Sequence, residues 1–134
     1  MKFKILVLDD EKDLKDAICR CFRRGGFETI GFSQADKALE YIQEHNVDLV
    51  CHGMIMPVPK AWNEKQCEWG KLTGLEFARR IREKSMIFPH LLCFTCIGDK
   101  EIHEEMKKVG IDSVLQKPAH ESDLIEAADK LLQN

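Results

Sequence analysis

The 134 residues, 44% hydrophobic and 32% charged, suffice for one domain that takes roughly two-thirds of its unfolded surface out of water. That balance excludes a disordered chain and a small stapled scaffold. Twenty Lys and Arg against 23 Asp and Glu leave a net charge of -3, the wrong sign for a chain built to neutralise nucleic-acid phosphates. The longest apolar runs, Ile5 to Leu8 and Leu91 to Phe94, are too short for a membrane span or a signal-peptide core. A cytoplasmic location is expected, with neither a nucleic-acid nor a membrane partner.

Ile5 to Leu8 stops at Asp9 and Asp10 and predicts a strand buried on both faces, as in a parallel sheet. Leu14, Ala17, Ile18, Cys21 and Phe22 recur at helical spacing up to Gly25 and Gly26. Arg20, Arg23 and Arg24 near that helix end complement its dipole and form a solvated basic face. Phe27 to Phe32 predicts a second strand. Ser33 is placed to cap a second helix striped by Ala35, Ala38, Leu39 and Ile42 and ended by Asn46.

Val47 to His52 predicts the third strand, followed by the punctuation Met56, Pro57, Val58, Pro59 and a polar stretch bearing Trp62 and Trp69. Thr73 and Glu76 have capping-box spacing ahead of Phe77, Ala78 and Ile81. Leu91 to Thr95 predicts the fourth strand, and Ile102, Met106 and Val109 a fourth helix closed by Gly110. Ser113 to Gln116 and the stripe Leu124, Ile125, Ala128, Leu131, Leu132 complete the alternation. Five apolar strands alternating with five amphipathic helices predict a single α/β domain over 1–134: a doubly wound, five-stranded parallel sheet with right-handed crossovers.

The six cysteines lie in apolar stretches of a chain without an export signal and are expected to be reduced core thiols. Cys93 and Cys96 form C-x-x-C, but on a strand an odd separation points them to opposite faces, which suits neither a metal nor a redox pair.

In an open parallel sheet, ligands gather at the carboxyl ends of the strands, near the point where strand order reverses. That rule selects Asp9 and Asp10 after the first strand, Gly53 after the third, Thr95 at the fourth and Lys117 after the fifth. Adjacent acids repel and are relieved by a hard cation or by the lysine, and Thr and Lys can both hold a phosphoryl oxygen.

At these positions the chain resembles a response-regulator receiver domain of the chemotaxis-regulator type, from about Lys4 to Leu132. The acid pair Asp9–Asp10, the strand-three motif Asp48-Leu49-Val50 followed by Met56-Pro57, Thr95, and Lys117-Pro118 carry the resemblance. It implies a flavodoxin-like (βα)5 fold, Mg2+ as cofactor, and phosphoryl transfer from a histidine kinase to an aspartate four residues before the motif's proline. That position is Gly53. Glycine has no nucleophile, so the usual transfer is excluded there. With one acid lost, Mg2+ binding at Asp9 and Asp10 should be weak or absent.

His52 should face the core, one strand step from Gly53, and Asp48 lies at the far end of the strand. The family's switch aromatic on strand five is replaced by Val114, too short and stiff to swing like a ring. Val58 to Thr73, sixteen residues, separate Pro57 from Gly74 where the family usually has three, an insertion at about 58–73 beside the former site. Its tryptophans either seat the loop or recognise a partner, and Glu64 or Glu68 could bring a third acid towards Gly53.

The resulting expectation is a degenerate two-component receiver, a pseudo-receiver rather than an enzyme. Its docking or homodimer face is expected along helix four, strand five and helix five, about Asp99 to Leu132. The alternatives are a phosphoryl-accepting regulator using Asp9 or Asp10, or an engineered variant of an active receiver whose aspartate was changed to glycine.

Overall fold

The runs at residues 5–8, 49–52 and 91–95 form strands buried on both faces, whereas the two edge strands, Glu28–Phe32 and Ser113–Gln116, are only partly buried. The computed structural model describes residues 2–133. Strands β1 (Lys4–Leu8), β2 (Glu28–Phe32), β3 (Leu49–His52), β4 (His90–Thr95) and β5 (Ser113–Gln116) make one parallel sheet in the order β2-β1-β3-β4-β5. Helices α1 (Lys12–Arg24), α2 (Ala35–Glu44), α3 (Thr73–Lys84), α4 (Lys100–Val109) and α5 (Glu121–Leu132) connect and cover it. Strand order reverses between β1 and β3, so the carboxyl ends of those two strands flank the crevice.

The period of two sorts each strand between two cores. Ile5, Val7, Leu49, Cys51, Leu92 and Phe94 pack with Ile18 and Phe22 of α1 and Leu124 and Ala128 of α5. Leu6, Leu8, Val50, Leu91 and Cys93 pack with Ala38 of α2, Phe77 and Ile81 of α3 and Met106 of α4. Asp99 caps α4, its carboxylate accepting from the Glu101 and Ile102 amides at 2.9 and 3.3 Å. Gly110 ends that helix at φ 103°, a conformation that favours glycine.

Four local expectations fail. The residue capping α2 is Gln34, without a side-chain cap, while Ser33 Oγ accepts from Lys15 Nζ at 3.4 Å, and the helix ends at Glu44, before Asn46. Thr73 is already the first residue of α3. Its hydroxyl donates to the Met56 carbonyl at 2.7 Å, and Glu76 pairs with Arg79 and Arg80 rather than closing a capping box. At Ser33 a lysine of α1 engages the hydroxyl, and at Thr73 a loop carbonyl and arginines of α3 itself take the groups the local cap would use. All six cysteines are free, and Cys93 is buried while Cys96 is exposed, so the latter is not a core thiol.

The 58–73 segment is an ordered structure. Asn63 Oδ1 accepts from the Lys65 and Gln66 amides at 2.8 and 3.2 Å and starts a run of turns ending in a 3-10 turn at Glu68–Gly70. Cys67 is fully buried, and Trp62 is buried beneath the Arg80 guanidinium, 4.2 Å from its ring centroid. Trp69 is 68% exposed. One tryptophan therefore seats the segment on α3 and the other does not.

Candidate functional site

Each site residue is placed by a strand-to-strand bond at the carboxyl edge of the sheet. The Asp9 amide donates to the Phe32 carbonyl and the Gly53 amide to the Leu8 carbonyl, both at 3.1 Å, and the Lys117 amide donates to the Thr95 carbonyl at 2.9 Å. These bonds carry the ladder past the strand ends and set the four positions along one edge.

Asp9 is buried, with 5% of its surface exposed. Its Oδ1 accepts from the Glu11 amide at 2.9 Å, and Lys117 Nζ donates to its Oδ2 at 3.4 Å. The ammonium also lies 5.2 Å from the centroid of the Phe94 ring, which holds it over the edge by a cation–π contact. Phe94 was not singled out by sequence reasoning. The available signal is an aromatic directly before Thr95 on a strand whose neighbour is followed by lysine.

Gly53 is buried beside Asp9. A Cβ on Gly53 would lie 3.6 Å from Asp9 Oδ2 and 3.8 Å from Met56 Cγ and Sδ, ordinary van der Waals distances. The backbone therefore has room for a side chain directed at the acid. Thr95 is buried, and its Oγ1 accepts from the Ile97 amide at 3.2 Å. Asp10 is exposed and lines a separate groove with Ser33, Gln34, Asp36, Pro57 and Lys60. Val114, opposite Cys93 in the sheet, packs half-buried on the α3–α4 side.

His52 is fully buried on the face away from Asp9, edge-on to Phe77 with ring centroids 5.4 Å apart. Its Nδ1 donates to the Gly53 carbonyl at 2.8 Å, and Nε2 has no partner among the described residues. Burial pushes its pKa down to about 4, so the ring is neutral. Burial also pushes the Cys51 and Cys93 thiols up, which keeps them protonated and poorly nucleophilic.

Receiver domains as a family typically bind Mg2+ at this acidic edge. Here Asp9 has both oxygens engaged, Gly53 offers no side-chain oxygen, and Asp10 is turned out to solvent. Among the described residues no three His, Cys, Asp or Glu side chains are grouped as metal ligands. Glu64 and Glu68 are exposed and do not supply the expected third acid, Glu68 instead lining a groove against α4. The donor set does not fit a firmly held Mg2+.

A doubly wound parallel sheet with an acid, a hydroxyl and an ammonium on its carboxyl edge is the arrangement of a signalling receiver. The chain belongs to the response regulator receiver domain family, whose profile matches residues 5–129. It is 26% identical over 119 residues to the alkaline phosphatase synthesis transcriptional regulatory protein PhoP of Bacillus subtilis, covering 88% of this chain and 43% of that protein. It is 22% identical over 127 residues to the phosphate regulon transcriptional regulatory protein PhoB of Escherichia coli, covering 93% and 49%. The chain thus spans about half the length of the curated relatives it matches. Among solved structures, the chemotaxis response regulator CheY4 of Vibrio cholerae superposes with a TM-score of 0.83 at 24% identity, over 98% of this chain and 100% of that one. A receiver domain from Clostridium thermocellum gives 0.81 at 26% identity, over 98% and 94%.

Proposed function

We propose that this chain is a pseudo-receiver: a two-component (phosphorelay) module with no phosphoacceptor carboxylate, signalling through protein contacts. The observation that carries this reading is the pairing of Gly53 with Asp9 across the β1–β3 crevice, with a Cβ direction at Gly53 leading to within 3.6 Å of Asp9 Oδ2. Phosphoryl transfer needs an oxygen or nitrogen lone pair aimed at phosphorus, and a hydrogen atom has none. Lys117 neutralises Asp9 in place of a cation, so Mg2+ is held weakly or not at all.

The rest of the relay is altered in the same sense. The Thr95 hydroxyl accepts from its own loop, at the Ile97 amide, and Val114 has no ring to swing between inward and outward positions. Contacts with a histidine kinase, another signalling protein or a second copy are assigned to the α4–β5–α5 face. The 58–73 segment is read as an insertion into the receiver plan.

Incubation with acetyl phosphate and Mg2+, followed by intact mass measurement, tests the proposal. The unaltered chain should show no adduct, and Gly53→Asp should gain a single phosphoryl group. An adduct on the unaltered chain, at Asp9, Asp10 or elsewhere, overturns the pseudo-receiver.

A further inference from the structure

We infer that the 58–73 segment and the first turns of α4 form a docking groove for a basic segment of another protein, anchored by an apolar side chain. The inference rests on the reading that the chain signals through protein contacts, and it names a surface and a partner chemistry. Leu72, Leu75 and Ile102 floor the groove, and Glu68, Glu101, Glu104 and Glu105 rim it. Trp69, next in the chain to Glu68, is 68% exposed, and Ile55 is 52% exposed. The Met56 amide donates to the Gly70 carbonyl at 3.0 Å, which brings the stretches carrying these two apolar residues together.

An exposed tryptophan beside an apolar-floored groove is the composition of an interface centre, where burying one ring on binding supplies much of the affinity. Folding of this chain alone does not use the ring. Trp69 and Glu68 also sit at φ 57° and 44°, the left-handed region that costs a bulky residue roughly 1 kcal/mol or more, yet neither gains burial from it.

Charge selects the occupant. Glu105 pairs with Lys108 at 3.5 Å, whereas Glu68, Glu101 and Glu104 have no ion-pair partner among the described residues. Three unpaired carboxylates around an apolar floor repel nucleic acid and anionic lipid and favour lysine or arginine flanking an apolar anchor. A second copy also carries exposed basic residues, Arg20, Arg23 and Arg24 of α1 among them, and its binding is a competing outcome of the test.

The probe is a short amphipathic Lys/Leu peptide, with its Glu/Leu counterpart as control, titrated into the full chain by anisotropy and tryptophan emission at low and high salt. The Lys/Leu peptide should bind and shift the emission, and the Glu/Leu peptide should not. Glu68→Gln with Glu101→Gln and Glu104→Gln, or Trp69→Ala alone, should each weaken binding about tenfold. A control triple with the same charge change elsewhere, Glu28→Gln with Glu44→Gln and Glu83→Gln, should change it less than about twofold. Circular dichroism verifies that each variant is folded.

No binding by the unaltered chain, equal loss in the two triples, or self-association that excludes the peptide overturns the groove. The readouts stay separate: a phosphoryl adduct would remove the pseudo-receiver while leaving peptide binding intact, and absent peptide binding would do the reverse.

Discussion

Gly74 rests on Gly53 so closely that a Cβ on Gly74 would lie 2.1 Å from the Gly53 carbonyl oxygen and 2.7 Å from Met54 Cα. The Gly74 amide donates to the Met54 carbonyl at 2.9 Å, so the first turn of α3 is clasped to the chain leaving β3. Whatever the 58–73 segment does, it leaves and rejoins the domain at a fixed point beside the site. The two glycines in contact have opposite requirements. Gly74 must lack a side chain because backbone occupies the space, whereas Gly53 lacks one with space to spare.

That difference is measurable by urea unfolding. Gly74→Ala drives a methyl into backbone and should cost about 2–4 kcal/mol. Gly53→Ala meets nothing closer than 3.6 Å and should stay within about 1 kcal/mol of the parent. Equal losses at the two positions would contradict the packing described for the crevice.

Gly53→Asp should restore chemistry at a cost. A second carboxylate close to the buried Asp9 adds like-charge repulsion that Lys117 offsets only in part, on the order of 1–2 kcal/mol in the absence of a cation. Mg2+ should recover that loss and raise the melting temperature of the variant, while leaving the parent chain nearly unchanged. Thermal unfolding with and without Mg2+ reads the difference. A parent chain stabilised as strongly as the variant would show that Asp9 and Asp10 suffice as ligands.

Fold and site differ in how openly the sequence displays them. The three central strands are legible because double burial leaves apolar runs, the partly buried edge strands β2 and β5 are legible by their place in the alternation, and α4 is legible at both ends because Asp99 and Gly110 act on backbone atoms of their own helix. Asp9, Gly53 and Lys117 are legible as a set because parallel strands deliver their carboxyl ends to one edge.

Contacts that depend on loops meeting across the fold left no local pattern. Thr73 bonds Met56 rather than its own helix, Lys117 settles over Phe94, and Glu64 and Glu68 stay exposed to solvent. The two tryptophans have similar surroundings in sequence, and it is the packing of Trp62 into the core and under Arg80 of α3 that covers one and not the other.

His52 makes stability depend on pH. Its pKa falls from 6.5 to about 4 because burial penalises the charged ring, outweighing the hydrogen bond to the Gly53 carbonyl, with Arg82 adding a smaller repulsion. The unfolded chain therefore binds a proton that the folded chain refuses between those values. The stability due to this group is complete above pH 6.5 and is lost as pH falls through the window towards 4. The loss amounts to about 3 kcal/mol for a shift of this size. His52→Leu keeps an apolar side chain against Phe77 and should flatten that part of the profile. Denaturant unfolding across the window, in parent and variant, measures it, and an unchanged slope would place the titration elsewhere.

Trp62 and Trp69 should separate cleanly in both stability and spectroscopy. Trp62→Ala removes a buried ring from under Arg80 and leaves a gap against α3, costing roughly 3 kcal/mol. Trp69→Ala removes a ring that is 68% exposed and should change stability by less than about 0.5 kcal/mol. Acrylamide should quench the emission of Trp69 and spare that of Trp62, so Trp69→Ala should leave a blue-shifted, protected signal and Trp62→Ala a red-shifted, quenchable one. If both single variants were equally accessible to quencher, the 58–73 segment would not be seated on α3, and the groove it builds with α4 would lose its inner wall.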